Sequence, residues 1–133
     1  MKIPEKAKLL FDKTSLIPFG TVDKRGMPNI NVVFWKTVSN DETILLIDNF
    51  MNTTKKNLSE NNKVCLSFWD PATEEGYKLK GIAAYYSEGN IYDEGKKFIQ
   101  LKKPGRIPKG VIEIKINEIY ILTPGPDAGK KLS

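Results

Sequence analysis

Residues 44–58 read Ile-Leu-Leu-Ile-Asp-Asn-Phe-Met-Asn-Thr-Thr-Lys-Lys-Asn-Leu, and they predict a strand, a turn and the start of a helix. The apolar run 44–47 is short and continuous, which is typical of a buried strand. Two threonines and two lysines follow at the predicted helix start. Free backbone N–H groups at a helix start, beside hydroxyls and cationic side chains, suit a bound phosphate. The stretch therefore makes a phosphorylated cofactor the leading functional hypothesis.

The same stretch also has a purely structural interpretation. Thr53 or Thr54 would then be the N-cap of a surface helix, with Lys55 and Lys56 in solvent. No glycine-rich loop precedes the helix, so the usual mark of a nucleotide-binding turn is missing. However, two lysines in the first turn of a helix are electrostatically unfavourable unless an anion is bound there, and this favours a phosphate site.

The composition limits the chemistry that the chain can perform. Its 133 residues carry a net charge of +5 and include one cysteine and no histidine. Histidine catalysis and haem ligation by histidine are therefore excluded, and we expect no metal site. The positive charge favours anionic partners, but the lysines are scattered and do not form a nucleic-acid-binding stripe. Cys65 lies in the apolar run 64–66 and is predicted to be a small core residue.

The rest of the chain predicts a mainly β fold. Strands are predicted at 17–22, 29–38, 43–47, 63–69, 77–86 and 111–122, and helices at 4–13, 53–59 and 91–102. In the last strand the apolar phase changes after Ile116, which predicts a bulge near Asn117 and Glu118. Six short strands with hairpin connections favour a small antiparallel barrel, as a single domain over 1–133. No apolar run is long enough to span a bilayer, so we expect a cytoplasmic protein.

Two of these strands carry further candidate residues. The strand at 29–38 contains Phe34 and Trp35, and its backbone can meet the edge of a planar ring, although core packing is the better explanation for each side chain taken alone. Lys78 and Lys80 share one face of the strand that continues into Gly81. These lysines form either a solvated face or the surroundings of a ligand that approaches the glycine.

Several short motifs occur in order along the chain. They are Gly20-Thr21-Val22-Asp23 with Gly26-Met27-Pro28-Asn29, residues 31–35, residues 51–58 and Leu79-Lys80-Gly81. Together they resemble the pyridoxamine-phosphate-oxidase-like, FMN-binding split-barrel family over nearly the whole domain. The resemblance implies a six-stranded antiparallel split β-barrel that forms a homodimer, with FMN in the groove between the subunits.

The resemblance also implies which residues meet the cofactor. The isoalloxazine and ribityl groups would be met, largely through the backbone, by Val32, Val33, Phe34 and Trp35. Asp48 and Asn49 would lie near the ring or the ribityl chain.

The phosphate would be held by Thr53, Thr54 and Lys55. Many relatives have a basic residue where Thr53 stands, so Lys55 or Lys56 would supply the charge in this chain. Lys80 would approach the flavin from the partner subunit.

The predicted function is that of a small FMN-binding flavoprotein with a redox role. It would be an electron carrier or an oxidoreductase that uses FMN or a deazaflavin, and the sequence identifies no catalytic residue, substrate or electron donor. The chain is much shorter than a true pyridoxamine phosphate oxidase and lacks its histidine- and arginine-containing substrate motifs, which argues against that activity. The alternative is a small basic β-barrel that binds single-stranded nucleic acid on aromatics such as Trp35, Phe68 and Trp69, without catalysis.

Overall fold

An antiparallel sheet and three helices make up the structure, a computed structural model that describes residues 1–132. The helices are α1 (Glu5–Lys13), α2 (Asn52–Glu60) and α3 (Asn90–Lys102). The strands are β1 (Ile17–Val22), β2 (Pro28–Val33), β3 (Lys36–Asn40), β4 (Thr43–Asp48), β5 (Lys63–Trp69), β6 (Gly76–Tyr86), β7 (Gly110–Ile121) and β8 (Lys131–Leu132). The predicted mainly β, antiparallel architecture is confirmed.

The strand order shows that the sheet is curled. It runs β2-β1-β5-β6-β7-β4-β3, with β8 paired to β7. β2 and β3 are at opposite ends of this order, yet only Phe34 and Trp35 separate them in sequence. Because the chain from Val33 to Lys36 spans at most about 11 Å, the two ends of the sheet must lie close together. The sheet therefore forms a split barrel, and residues 34–35 cross its opening.

This crossing corrects the predicted strand count of six. The single strand expected at 29–38 is divided into β2 and β3, because its first half pairs with β1 and its second half with β4. One straight strand cannot serve both ends of the sheet, so the chain changes direction at Phe34 and Trp35. The short β8 is the other additional strand, and it lies in the tail that was expected to be irregular.

The core explains the continuous apolar run in β4. All six β4 residues are buried, since one face points into the barrel and the other lies beneath α3. In the barrel, Phe11 of α1 meets Phe68 edge to face, with 5.4 Å between ring centroids. Beneath α3, Leu45 and Ile47 pack with Ile99.

The predicted bulge in β7 is confirmed. Lys80 pairs with Glu118 and Gly81 with Ile116, which leaves Asn117 without a partner across the ladder. The bulge switches the inward phase from Ile116 to Ile119, both of which are buried.

Candidate functional site

A buried carboxylate fixes the turn between β4 and α2. Asp48 is fully buried, and its Oδ1 accepts a hydrogen bond of 2.7 Å from the backbone N–H of Met51. Its Oδ2 accepts a hydrogen bond from the hydroxyl of Tyr85 in β6. Its backbone carbonyl accepts one of 2.9 Å from the N–H of Lys109. Asp48 therefore joins three segments of the chain, and its carboxylate is directed at protein groups.

The start of α2 differs from the expected N-cap. The helix begins at Asn52 with Met51 in the N-cap position, and no side chain in the described part of the chain caps it. The prediction of Thr53 or Thr54 as N-cap is therefore wrong, because Asp48 already turns the chain before them. The first turn itself holds no acidic residue, and Asp48 bonds the N–H of Met51 before it, so the N–H groups of the first turn have no side-chain acceptor among residues 1–132.

The two candidate threonines lie in different environments. Thr54 is fully buried, and its hydroxyl accepts a hydrogen bond from the side-chain amide of Asn31. Asn57, one turn later, donates a 3.0 Å hydrogen bond to the hydroxyl of Thr21. Residues 54, 57 and 58 thus form the face of α2 that packs on the barrel, which leaves Thr53 and Lys55 in solvent.

The exposed side of α2 borders a cleft with a volume of about 660 Å³, here named the lysine cleft. Its polar lining residues are Asn52, Lys55, Lys56, Ser59, Tyr85 and Ser87. The ammonium of Lys55 is 5.1 Å from the centroid of the Tyr85 ring. The ammonium of Lys109 donates a 2.9 Å hydrogen bond to the side-chain oxygen of Asn52, which adds a third lysine beside the start of α2.

The hydroxyl of Tyr85 is a fixed hydrogen-bond donor to Asp48. Burial, together with the hydrogen bond to Asp48, raises the pKa of the Tyr85 hydroxyl above its ordinary value. The hydroxyl therefore stays protonated at neutral pH and keeps donating to Asp48. A Cβ at Gly110 would overlap the ring of Tyr85, so glycine is required where β7 passes this side chain.

A second cavity, here named the arginine groove, has a volume of about 350 Å³. It brings together the candidates at 32–35 and Asn49, and adds Phe50 and Arg106. Phe50 is 90% exposed, and Phe34 and Trp35 meet edge to face with 4.6 Å between their ring centroids. The groove and the cleft adjoin at residues 50–52, because Phe50 and Met51 line the groove and Asn52 lines the cleft.

Sequence reasoning missed Phe50 and Arg106. Phe50 carried a usable signal, because it is a large apolar residue in an otherwise polar turn after a buried strand. Arg106 carried none, since it lies in the loop between α3 and β7 and reaches the groove only through the fold.

Lys80 is not brought together with the other candidates within one chain. It lies on the outward face of β6, with its ammonium 5.3 Å from the centroid of the Tyr120 ring. Lys78 lies over the same ring at 4.7 Å. Neither lysine lines the cleft or the groove.

The outward face around Lys80 also exposes apolar residues. This outer sheet face spans the successive strands β2, β1, β5 and β6, and it exposes Ile30, Val32, Cys65 and Ile82. The prediction that Cys65 is a core residue is therefore wrong. β5 alternates, and its inward positions are taken by Val64, Leu66 and Phe68.

Among residues 1–132, no cluster of three or more histidine, cysteine, aspartate or glutamate side chains has the arrangement of a metal site. The three helices within this range are all too short or too polar to cross a bilayer.

Comparison with known proteins identifies the family. A family model described as pyridoxamine 5'-phosphate oxidase matches residues 3–123. Because the match spans most of the chain, this protein belongs to the pyridoxamine 5'-phosphate oxidase family. The predicted resemblance is thus confirmed.

Individual relatives agree with this assignment. An uncharacterized protein of Methanocaldococcus jannaschii is 38% identical over 123 residues, which cover 91% of this chain and 82% of the relative. The crystal structure of HupZ from Group A Streptococcus is 31% identical, with a TM-score of 0.83 over 96% of this chain and 99% of HupZ. An FMN-binding protein of Syntrophomonas wolfei shares the fold at 24% identity, with a TM-score of 0.77 over 91% of this chain and 86% of that one.

Proposed function

We propose that this protein binds FMN non-covalently and has a redox function, as an electron carrier or an FMN-dependent oxidoreductase. The observation that carries the proposal is the lysine cleft. A helix start without a capping side chain lies beside Lys55, Lys56 and Lys109, and no carboxylate occupies its first turn. Such a surface suits a phosphate ester, and the adjoining arginine groove suits a planar ring.

The phosphate of FMN would be held by groups at the start of α2. Thr53 and Lys55 are exposed and would bind it through their side chains. The hydroxyl of Thr54 is engaged with Asn31, so Thr54 would contribute its backbone N–H, one of the free donors of the first turn. Lys56 would add charge from the same cleft.

The ring would lie along residues 32–35. Within residues 1–132, β2 pairs only with β1, so its outer edge has backbone N–H and C=O groups that are free to meet the polar edge of a ring. Asn49 lines the same groove and can hydrogen-bond there, whereas Asp48 would act on the cofactor by fixing α2. FMN would supply the electron transfer, while the chain binds the cofactor, orients it and sets its electrostatic surroundings.

The outer sheet face would join two copies of the chain. Ile30 and Val32 on β2 and Ile82 on β6 are exposed on an outer face that also includes β1 and β5, and a second copy can bury this face, so that Lys80 would then reach the cofactor of that copy. We expect light scattering to show a dimer for the wild type and a monomer for Ile30→Asp. Leu101→Asp, at an exposed apolar position on α3, should remain dimeric. A dimeric Ile30→Asp would place the interface elsewhere.

The test of FMN binding compares FMN with riboflavin, which has no phosphate. We expect the purified protein to keep about one FMN per chain after desalting, and to bind riboflavin about 100-fold more weakly, as two charge-assisted contacts predict. Equal affinities for FMN and riboflavin would show that the cleft does not bind the phosphate. A protein without flavin affinity would refute the proposal, and salt-sensitive oligonucleotide binding in that case would support the nucleic-acid alternative.

If FMN binds, turnover separates the two redox functions. An oxidoreductase would oxidise NAD(P)H or a reduced deazaflavin catalytically. A carrier would exchange electrons without such turnover.

A further inference from the structure

The arginine groove is lined by a positively charged side chain and by no negatively charged one. Its ten lining residues include Arg106 and no aspartate or glutamate. Among residues 1–132, no carboxylate lies within 4.0 Å of the Arg106 guanidinium, and no side-chain hydrogen bond engages it. The groove therefore has a single charged group, a cation that needs a partner.

Contacts on both sides fix the loop that carries Arg106. The backbone N–H of Arg106 donates a 3.1 Å hydrogen bond to the carbonyl of Lys103. The carbonyl of the buried Pro108 accepts a 2.8 Å hydrogen bond from the hydroxyl of Tyr92, and the next residue, Lys109, is bonded to Asp48. The loop is thus tied to α3 before Arg106 and to the turn before α2 after it.

The rest of the groove is largely apolar and aromatic. Phe34, Trp35 and Phe50 line it, and Phe50 leaves almost its whole ring accessible. A planar molecule that covers these rings would displace water from the guanidinium. Because charges interact more strongly as solvent is removed, negative charge on that molecule would be favoured.

We propose that Arg106 makes the groove selective for a planar ring system that carries negative charge, so that the protein binds reduced FMN more tightly than oxidised FMN. This selectivity for the ring's charge rests on the proposed function. At neutral pH, reduction adds two electrons and one proton to the ring system, which leaves the ring with one negative charge. The electrons come from a low-potential reductant, and dithionite serves as that reductant in the test.

The reduction potential of the bound FMN tests the proposal. We expect Arg106→Gln to weaken the binding of reduced FMN about tenfold more than that of oxidised FMN, which lowers the two-electron potential by about 30 mV. Arg106→Lys should retain most of the wild-type potential. The control is Lys103→Gln, which removes the same charge from an exposed position outside the groove, and it should leave the potential unchanged. An unchanged potential in Arg106→Gln, or an equal change in Lys103→Gln, would overturn the proposal.

A second measurement needs no flavin and therefore separates this proposal from the previous one. The chain has two tryptophans, and Trp69 lies outside the groove, so Trp69→Phe leaves Trp35 as its fluorescent reporter. We expect 2-naphthoate to quench Trp35 at lower concentration than neutral 2-naphthamide, and Arg106→Gln to remove the difference. Equal binding of the two probes to the parent variant would refute an anion-selective groove, even if FMN binds elsewhere. A preference for naphthoate would support the groove even if FMN does not bind.

Discussion

The lysine cleft and the arginine groove adjoin at residues 50–52 but are built in different ways. Much of the cleft comes from one short helix, and its charges follow each other in sequence. The groove combines the crossing between β2 and β3, the turn after β4 and a loop after α3. The cleft is lined by two adjacent lysines, whereas the groove is lined by three aromatic residues and one cation. The difference indicates a division of labour, with charge recognition in the cleft and ring recognition in the groove.

The largest expected effect comes from removing the charge of the cleft. Lys55→Gln combined with Lys56→Gln should weaken FMN binding about 100-fold, because two charge-assisted contacts of about 1.5 kcal/mol each are lost. Riboflavin binding should change less than about threefold. Flavin fluorescence titrations measure both affinities.

The control for this pair is Lys96→Gln combined with Lys97→Gln on α3, which causes the same change in net charge away from both cavities. If the control lowers FMN affinity as much as the cleft pair does, overall charge rather than the cleft attracts the cofactor.

The second effect concerns the hydrogen bond between the Tyr85 hydroxyl and the buried Asp48. Tyr85→Phe leaves Oδ2 of the buried Asp48 without its donor, which should lower the free energy of unfolding by about 2 kcal/mol. Tyr86→Phe is the matched control, since the Tyr86 hydroxyl makes no hydrogen bond within residues 1–132, and it should cost less than about 0.5 kcal/mol. Urea denaturation measures the free energy of unfolding of both variants. Equal losses would mean that the hydrogen bond from Tyr85 to Asp48 does not stabilise the fold.

The third effect is the pH dependence of the stability that the Tyr85–Asp48 hydrogen bond contributes. The folded-state pKa of Tyr85 lies above its ordinary value of 10.0, so the unfolded chain loses this proton first as the pH rises. The contribution of Tyr85 to stability is therefore complete below about pH 10 and is lost as the pH rises through the folded-state pKa. Wild-type stability should fall more steeply than that of Tyr85→Phe between about pH 9.5 and 11, as followed by urea denaturation. Parallel curves would contradict this assignment.

The smallest expected effect on stability is at the groove. Phe50 is 90% exposed, so Phe50→Ser should change the free energy of unfolding by less than about 0.5 kcal/mol. Phe19→Ser, at a fully buried phenylalanine, should instead prevent folding or cost more than about 3 kcal/mol. With stability preserved, Phe50→Ser should still weaken naphthoate binding in the groove. Unchanged naphthoate binding would show that the probe does not cover Phe50.

The antiparallel strands, the three helices and the β7 bulge were predictable, because each depends on local apolar periodicity. The division of 29–38 into two strands was not, since it depends on which distant strands its two halves pair with. Cys65 was misplaced for a related reason: three apolar residues in a row do not show which of them point outward. Only the inward positions of Val64, Leu66 and Phe68 on the curled sheet decide that.

The sequence by itself determined the family, the β architecture and the cationic helix start at residues 52–56, because short motifs and local periodicity encode them. The tertiary structure decided that Thr54 is buried against Asn31, that Asp48 is hydrogen-bonded to Tyr85, and that Arg106 lines the same groove as Phe50. Each of these pairs is separated by more than twenty residues in the chain. Such contacts depend on the closure of the whole sheet, and their partners leave no mark in the local pattern.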